Sequence, residues 1–230
     1  MLVYISPAAH KYDNSTKCTT GSKCSENTHC REYAAKLADD LKRCGVEVIV
    51  GKALTGSAAI DDRVTDANRR GAALYYVCHT NAGGGRYSMT MCWPDASSRA
   101  KAQIIHKHHV VDIPSMGHKV KDNNALAEIK RTKMTCLYDE LFFHDNALDC
   151  TWFHNGGMER LAESRCKAIC EIVGAKYVDP IEDAGSAVDE QLKELQAEVD
   201  KLKAERDELQ AKLTQAIGVI RQIQTTTKGW

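Results

Sequence analysis

The sequence predicts an α/β fold, in which a mixed, mostly parallel twisted sheet carries helices on both faces, followed by a C-terminal coiled-coil helix. Short apolar runs of strand length alternate with stretches whose apolar residues recur at helical spacing. The first run, LVYIS at residues 2–6, ends at Pro7 and is typical of a buried strand. From residue 188 onward the pattern changes to a seven-residue repeat, which predicts a separate helical segment.

The apolar runs predict the strands of the sheet, and the amphipathic stretches predict the helices that cover it. Strands are predicted at residues 2–6, 46–50, 73–79, 88–93 and 134–139. Helices are predicted at residues 26–43, 60–70, 97–111 and 158–173. In the first helix Tyr33, Leu37 and Leu41 share one face, and Cys44-Gly45 follows as a C-cap would. This order of elements is that of a phosphorylase/hydrolase-like α/β domain.

The C-terminal part is predicted to be a linker at 179–187, a coiled coil at 188–224 and a tail at 225–230. Large apolar residues occupy nine of the eleven a and d positions, which are Val188, Leu192, Leu195, Val199, Leu202, Arg206, Leu209, Leu213, Ala216, Ile220 and Ile223. About 37 residues would make a rod of roughly 55 Å. The pattern favours self-association of the chain through this segment. The alternative is a helix folded back on its own domain.

Composition limits the classes of partner and the compartment. The formal charge of the 230 residues is zero, so no nucleic-acid partner is indicated. The start of the chain, MLVYISPAAH, has neither a basic region nor a long apolar stretch. We therefore expect no signal peptide, no membrane insertion and a protein made in a cytoplasm. In that compartment the ten cysteines are expected to be reduced thiols.

Four well-spaced residues suggest a metal site: His10, Glu26, His79 and Glu140 each lie near the end of an apolar run or the start of a helix. Two imidazoles and one carboxylate form a three-ligand set for zinc with a position left for water. A further carboxylate beside them can carry protons. Taken singly, each residue has a plainer reading. His10 fits an ordinary loop, Glu26 and Glu140 fit helix starts, and His79 fits a hairpin loop.

Together with their neighbours, these residues form recognisable motifs. The segment at 79–82 reads H-T-N-A, and the segment at 140–146 reads E-L-F-F-H-D-N. Arg63 and Asn68 precede the first of them in an R-x-x-x-x-N arrangement. Over roughly residues 1–175 the chain resembles the zinc-dependent N-acetylmuramoyl-L-alanine amidases of the amidase_3 family, particularly phage endolysins. It departs from that family after His10, where the usual H-x-G turn is absent.

The resemblance implies a function for each part. Residues 1–178 would be a zinc amidase catalytic domain, with Zn²⁺ held by His10, Glu26 and His79. Glu140 would be the catalytic residue, acting as base and then as acid. The substrate would be the amide between N-acetylmuramic acid and L-alanine in peptidoglycan. An endolysin would be made in the cytoplasm of an infected bacterial host and act on the cell wall after release.

Two other functions remain open. The chain could be a zinc peptidase or another amide hydrolase of similar fold. It could also be a non-catalytic wall-binding or tail-assembly protein in which the coiled coil is the functional segment.

Several cysteines and histidines leave further alternatives. A separate metal or redox role is open for Cys18, Cys24, Cys30 and His29, and His29 is also a rival to Glu26 as a ligand. His106, His108 and His109 lie on one predicted helix, and we expect them to be solvated. His144 is a candidate for substrate contact.

Overall fold

The computed structural model describes residues 1–12, 25–109 and 117–227. The chain divides into two compact units, Met1–Val178 and Asp179–Trp230. The first unit contains the whole sheet, and the second contains one long helix. None of the described helices is both long and apolar enough to cross a bilayer.

A six-stranded mixed sheet forms the centre of the first unit, with strand order β2-β1-β3-β6-β4-β5. The strands are β1 Leu2–Pro7, β2 Glu47–Val50, β3 Leu74–Asn81, β4 Tyr87–Cys92, β5 Gly117–Asp122 and β6 Cys136–Phe143. Strands β2, β1, β3 and β6 run parallel to one another, whereas β4 is antiparallel to β6 and parallel to β5. The predicted fold class is confirmed.

Helices cover both faces of this sheet. They are α1 Glu26–Arg43, α2 Ser57–Arg70, α3 Ala96–Lys107, α4 Ala127–Arg131, α5 Ala147–Trp152 and α6 Met158–Val173. Leu37 of α1, Ile105 of α3 and Ile169 of α6 belong to one buried cluster. On the other face, Val64 of α2 and Ile129 of α4 pack in a second cluster with alternate strand residues. The sheet is therefore a buried middle layer, as its apolar strands predict.

The centre of the sheet contains a buried ion pair between Asp139 of β6 and Arg165 of α6, both 0 % exposed. Arg165 Nε donates to Asp139 Oδ2 at 2.7 Å. The hydroxyls of Tyr76 and Thr90 donate to the same carboxylate at 2.7 and 2.9 Å. Burial alone would favour the neutral acid, but Arg165 holds the pKa of Asp139 well below its usual range.

Two predicted strands have different ends in the structure. The strand predicted at 73–79 is Leu74–Asn81, and the strand predicted at 134–139 is Cys136–Phe143. His79 and Glu140 therefore lie inside strands rather than after them. Polar side chains are tolerated there because both residues lie in the carboxyl-terminal halves of their strands, towards the edge of the sheet where α/β folds bind ligands.

Strand β5 and the short helices α4 and α5 were not predicted, and the helix predicted at 97–111 ends at Lys107. Strand β5 lacks an apolar run because it is an edge strand with lysines at 119 and 121, a common way of protecting an exposed edge. Lys119 Nζ lies 3.6 Å from the centre of the Tyr87 ring.

The second unit is the helix α7, Pro180–Thr227. The backbone is helical from Pro180 onward, so the segment predicted as a linker at 179–187 has helical structure. Proline fits the first turn of a helix, and Asp179 Oδ1 accepts the Ile181 N–H at 2.9 Å. The predicted tail is helical as far as Thr227, and residues 228–230 lie outside the described residues. The described apolar side chains of the heptad repeat are exposed in this chain: Leu192, Leu195, Val199, Leu202, Leu209 and Leu213.

We predict that Arg165→Leu lowers the free energy of unfolding by about 3–5 kcal/mol, because it leaves the buried Asp139 carboxylate without its cation. Urea denaturation measures this loss. The matched control is Arg99→Leu, which breaks an exposed pair with Asp122 and should cost far less, because exposed ion pairs contribute little to stability. Equal losses in the two variants would contradict the central role of the buried pair.

Candidate metal centre and active site

The fold brings the four predicted site residues to one edge of the sheet. His10 follows β1, His79 is near the end of β3, and Glu140 is the register partner of His79 on β6. Strands β1, β3 and β6 are parallel, so their carboxyl ends meet at this edge, where α/β sheets bind ligands. Glu26 reaches the edge as the first residue of α1.

The carboxylate of Glu26 connects the two histidines. Glu26 Oε2 lies 3.1 Å from His10 Nε2, and Glu26 Oε1 lies 3.1 Å from His79 Nδ1. The Thr80 N–H donates to Glu26 Oε1 at 3.0 Å, and Glu26 is 1 % exposed. Helix α1 is capped by Ser25, whose hydroxyl accepts the Thr28 N–H. The carboxylate of Glu26 is therefore turned to the histidines rather than used as the cap.

Asn27, which we did not predict as a site residue, positions His10. Its Oδ1 accepts the backbone N–H of His10 at 2.9 Å, and its Nδ2 donates to the carbonyl of His10 at 3.0 Å. These two bonds attach the loop after β1 to the first turn of α1. The only feature of the sequence that could have indicated this role is that a second polar residue directly follows Glu26.

The residues fit a divalent cation. The donor atoms of His10, Glu26 and His79 all lie within 4.8 Å of one another. His10 Nε2 is buried and makes no hydrogen bond with the described residues, although it lies beside the Glu26 carboxylate. Two imidazole nitrogens and a carboxylate oxygen are a set that zinc accepts, with one position left for water or substrate. A cation would satisfy all three groups together.

Charges and burial shift the pKa values of the two neighbouring strand residues. Burial lowers the pKa of His79, but the carboxylates of Glu26 and Glu140 more than offset this, and the pKa is raised. Burial raises the pKa of Glu140 to about 7, with Glu26 and Asp139 adding to the effect and His79 opposing it. Glu140 Oε2 is buried without a hydrogen-bond partner among the described residues. Such a carboxyl group can accept and release a proton near neutral pH.

A cavity of about 290 Å³ opens beside the two histidines. Its lining includes His10, Lys11, Gly56, Ile60, Arg63, His79 and Glu128. Glu128 Oε1 accepts hydrogen bonds from Ser6 at 2.6 Å and from Tyr75 at 2.9 Å, and Arg63 donates to Ser6 at 3.2 Å. The cavity wall is thus a charged, hydrogen-bonded network. Sequence reasoning missed Glu128 because α4, which carries it, has no recognisable helical pattern.

The residues after Glu140 hold the glycine loop that follows β3. Asp145 Oδ2 accepts the N–H groups of Gly83 and Gly84 at 2.8 and 2.9 Å. Gly83 has a φ of +110°, a region that favours glycine. A Cβ on Gly85 would lie 2.4 Å from the Phe143 ring. The E-L-F-F-H-D-N segment therefore shapes the loop beside the site as well as supplying Glu140.

His144 lies behind the Glu26 carboxylate. Its Nδ1 is 2.9 Å from Thr80 Oγ1 and 3.9 Å from Glu26 Oε2. It is 7 % exposed, and its backbone N–H donates to Asn81. These contacts join β6 to β3 at the bulge that follows His79. Contact of His144 with substrate stays a prediction.

His29, the rival ligand, is not part of the donor group formed by His10, Glu26 and His79. It is buried, and its Nε2 lies 2.9 Å from His154 Nε2. Cys30 is buried as a free thiol, and Cys18 and Cys24 lie outside the described residues.

The prediction that all three histidines near the end of α3 are solvated is wrong for His109. This residue is 8 % exposed, and its Nδ1 lies 3.0 Å from Arg165 Nη1. The buried Arg165 supplies a polar partner that the sequence pattern did not show.

Two histidines and a carboxylate at the carboxyl edge of an α/β sheet, with a further carboxyl group beside them, are typical of metal-dependent hydrolases. Residues 3–171 match the Amidase_3 family, described as N-acetylmuramoyl-L-alanine amidase. This match covers most of the chain, and the chain belongs to that family. The predicted resemblance to the amidase_3 family is thereby confirmed.

Solved structures with the same fold are amidase domains. One is the catalytic domain of the N-acetylmuramoyl-L-alanine amidase CwlV from Paenibacillus polymyxa, with a TM-score of 0.66 and 22 % identity over 76 % of this chain and 99 % of that one. An amidase from Clostridium difficile 630 has a TM-score of 0.65 and 21 % identity over 76 % and 97 % of the two chains.

A third structure is the catalytic domain of an endolysin that targets Clostridium difficile. Its TM-score is 0.58, and its identity is 20 % over 78 % of this chain and 99 % of that one. At these identities the structures show a shared fold. Comparison with curated proteins finds no match.

Proposed function

We propose that this member of the amidase family is zinc-dependent and hydrolyses the amide between N-acetylmuramic acid and L-alanine in peptidoglycan. The observation that carries the proposal is the convergence of His10 Nε2 and His79 Nδ1 on the two oxygens of Glu26, each at 3.1 Å. Glu140, the catalytic residue of the proposal, is the register partner of His79. The family match supplies the substrate class.

In this proposal His10, Glu26 and His79 hold Zn²⁺. When bound, the cation acts as a Lewis acid that polarises a carbonyl and lowers the pKa of water toward ~7. Glu140 Oε2 accepts the proton of the attacking water, because this oxygen is buried and has no hydrogen-bond partner among the described residues. The protonated Glu140 then donates to the nitrogen of the departing L-alanine, so that one group serves as base and then as acid.

The surroundings of Glu140 suit this double role. Burial raises the pKa of its carboxyl group to about 7, so both protonation states are accessible near neutral pH. Asn27 holds the backbone of His10, and Thr80 donates to Glu26. Both contacts orient the donor set before any ligand binds, which lowers the cost of forming the site.

We further propose that the protein is a phage endolysin, made in the cytoplasm of an infected bacterial host and acting on the wall after release. The resemblance of roughly residues 1–175 to this family, and particularly to its phage endolysins, supports this. An endolysin catalytic domain also shares the fold.

The proposed role of the coiled coil at 188–224 is self-association, which would bring two or more catalytic units to one wall surface. The described heptad side chains Leu195, Leu202 and Leu209 are 59 %, 56 % and 65 % exposed in the single chain. An apolar stripe along a helix is stabilised when a second helix covers it. Linked catalytic units would stay longer on a polymeric substrate through avidity.

We predict that His79→Ala binds one zinc fewer per chain than the wild type and releases no new L-alanine amino termini from peptidoglycan. Glu140→Gln should keep that zinc but lower kcat by about 10²–10⁴-fold, because it removes the proton acceptor. Metal analysis and labelling of new amino termini measure both effects. The matched control is His108→Ala, whose imidazole pairs with Glu171 on the surface.

Other results of this experiment would redirect the assignment. New amino termini other than L-alanine would favour a peptidase or another amide hydrolase. An unchanged zinc content in His79→Ala would exclude the proposed metal ligands, and full activity of Glu140→Gln would exclude the proposed base.

For the endolysin role, we predict that bacteria with susceptible peptidoglycan that produce the protein lyse only after their membrane is permeabilised. The intact membrane separates a cytoplasmic enzyme from the wall. The measurement is culture turbidity before and after permeabilisation, with the Glu140→Gln protein as the control. Lysis without permeabilisation would contradict the proposed route, and intact walls after permeabilisation would contradict the role.

For the coiled coil, we predict that the full-length chain is an oligomer by light scattering at micromolar concentration. Leu202→Lys should shift it toward monomer, because it buries a charge in the apolar seam. The control is Ala204→Lys. This residue lies two positions after Leu202, on the side of the helix away from the seam, so the change should leave the mass of the oligomer unchanged. A wild-type monomer would favour the alternative of a helix that packs on its own domain.

A further inference from the structure

Three buried cysteines meet where α1 ends. Cys44 follows the last residue of α1, and Cys166 and Cys170 lie four residues apart on the facing side of α6. Their Sγ atoms all lie within 4.8 Å of one another, and Cys44 and Cys166 are 3.6 Å apart. Glu26 begins α1, whose 18 residues extend ~27 Å. This thiol cluster is therefore separate from the amidase centre.

Backbone and charged groups fix the thiol cluster in place. The N–H of Val178 donates to Cys44 Sγ at 3.3 Å, and Arg43 Nε donates to the carbonyl of Val178 at 3.1 Å. Arg43 also donates to Glu163 on α6 at 2.9 Å. The chain after α6 thus folds over the sulfurs, and a guanidinium group lies beside them.

Metal ions bind cysteine as the thiolate. The positive charge of Arg43, the residue before Cys44, favours negative charge on the sulfurs.

The geometry suits a metal ion better than a disulfide. A disulfide uses two sulfurs and leaves the third without a role. Three thiolates at the usual Zn–S distance of ~2.3 Å in a tetrahedral arrangement lie roughly 3.8 Å apart, near the 3.6 Å between Cys44 and Cys166. Sulfur ligands select thiophilic cations such as Zn²⁺ over hard ones such as Mg²⁺.

We propose that Cys44, Cys166 and Cys170 form a second metal site, which binds Zn²⁺ through three thiolates and joins the end of α1 to α6. Water completes the tetrahedron on the side of Cys44, the most exposed of the three at 8 %. Binding releases the thiol protons to solvent, so affinity rises with pH. The site is structural, since its sulfurs lie far from Glu140, and it does not depend on the proposed amidase activity.

The test uses the full-length, reduced and metal-free His79→Ala protein, in which the amidase centre has lost a ligand. Titration with Cd²⁺, a probe whose thiolate complexes absorb in the ultraviolet, should give one equivalent of thiolate-bound metal that Zn²⁺ displaces. The added change Cys170→Ser should abolish this absorption. The added change Cys92→Ser, at a buried cysteine of β4 outside the cluster, should leave it unchanged.

Two results would overturn the proposal: no thiolate absorption at stoichiometric Cd²⁺, or equal absorption with Cys170→Ser. A Cys44–Cys166 disulfide in the reduced preparation, seen as a mass lower by two hydrogens, would also overturn it. If the Cys170→Ser protein does not fold, X-ray absorption at the zinc edge of His79→Ala alone decides. Sulfur neighbours at ~2.3 Å support the site, and nitrogen or oxygen neighbours alone exclude it.

Discussion

The buried pair of Asp139 and Arg165 is the interaction on which the rest of the catalytic unit depends. It ties strand β6, in the middle of the sheet, to helix α6 through a 2.7 Å hydrogen bond. A carboxylate with no exposure is tolerated only because Arg165, Tyr76 and Thr90 all donate to it. The next residue, Glu140, points to the opposite face. The pair therefore sets the position of the strand that carries the proposed base.

The pKa of a carboxyl group is shifted in opposite directions on the two faces of β6. On one face, Arg165 keeps Asp139 ionised, and its pKa lies well below the usual range. On the other face, burial raises the pKa of Glu140 to about 7, against the opposing charge of His79. Adjacent residues of one strand are thus a structural anion and the proposed proton carrier. The difference comes from the surrounding helices and strands and not from the residue type.

Helix α1 connects the amidase centre to the thiol cluster. It begins at Glu26, which meets His10 and His79, and ends before Cys44, which meets the cysteines of α6. Each end of this helix therefore contributes to a cluster of side chains for which we propose a metal ion. The long helix α7 is a separate unit with an apolar stripe exposed to solvent. One chain therefore combines a catalytic unit with a segment whose pattern favours assembly.

The amino-acid pattern by itself determined the α/β class, most strands and helices, and the choice of His10, Glu26, His79 and Glu140, because apolar periodicity and short motifs are local properties. It did not show that the backbone is helical from Pro180 onward, and it missed the edge strand β5, where alternating lysines obscure the local signal. Only the tertiary structure decided that the two histidines share one carboxylate, since residues distant in sequence meet when parallel strands align. Burial, charge and pKa likewise arise only once the helices pack on the sheet.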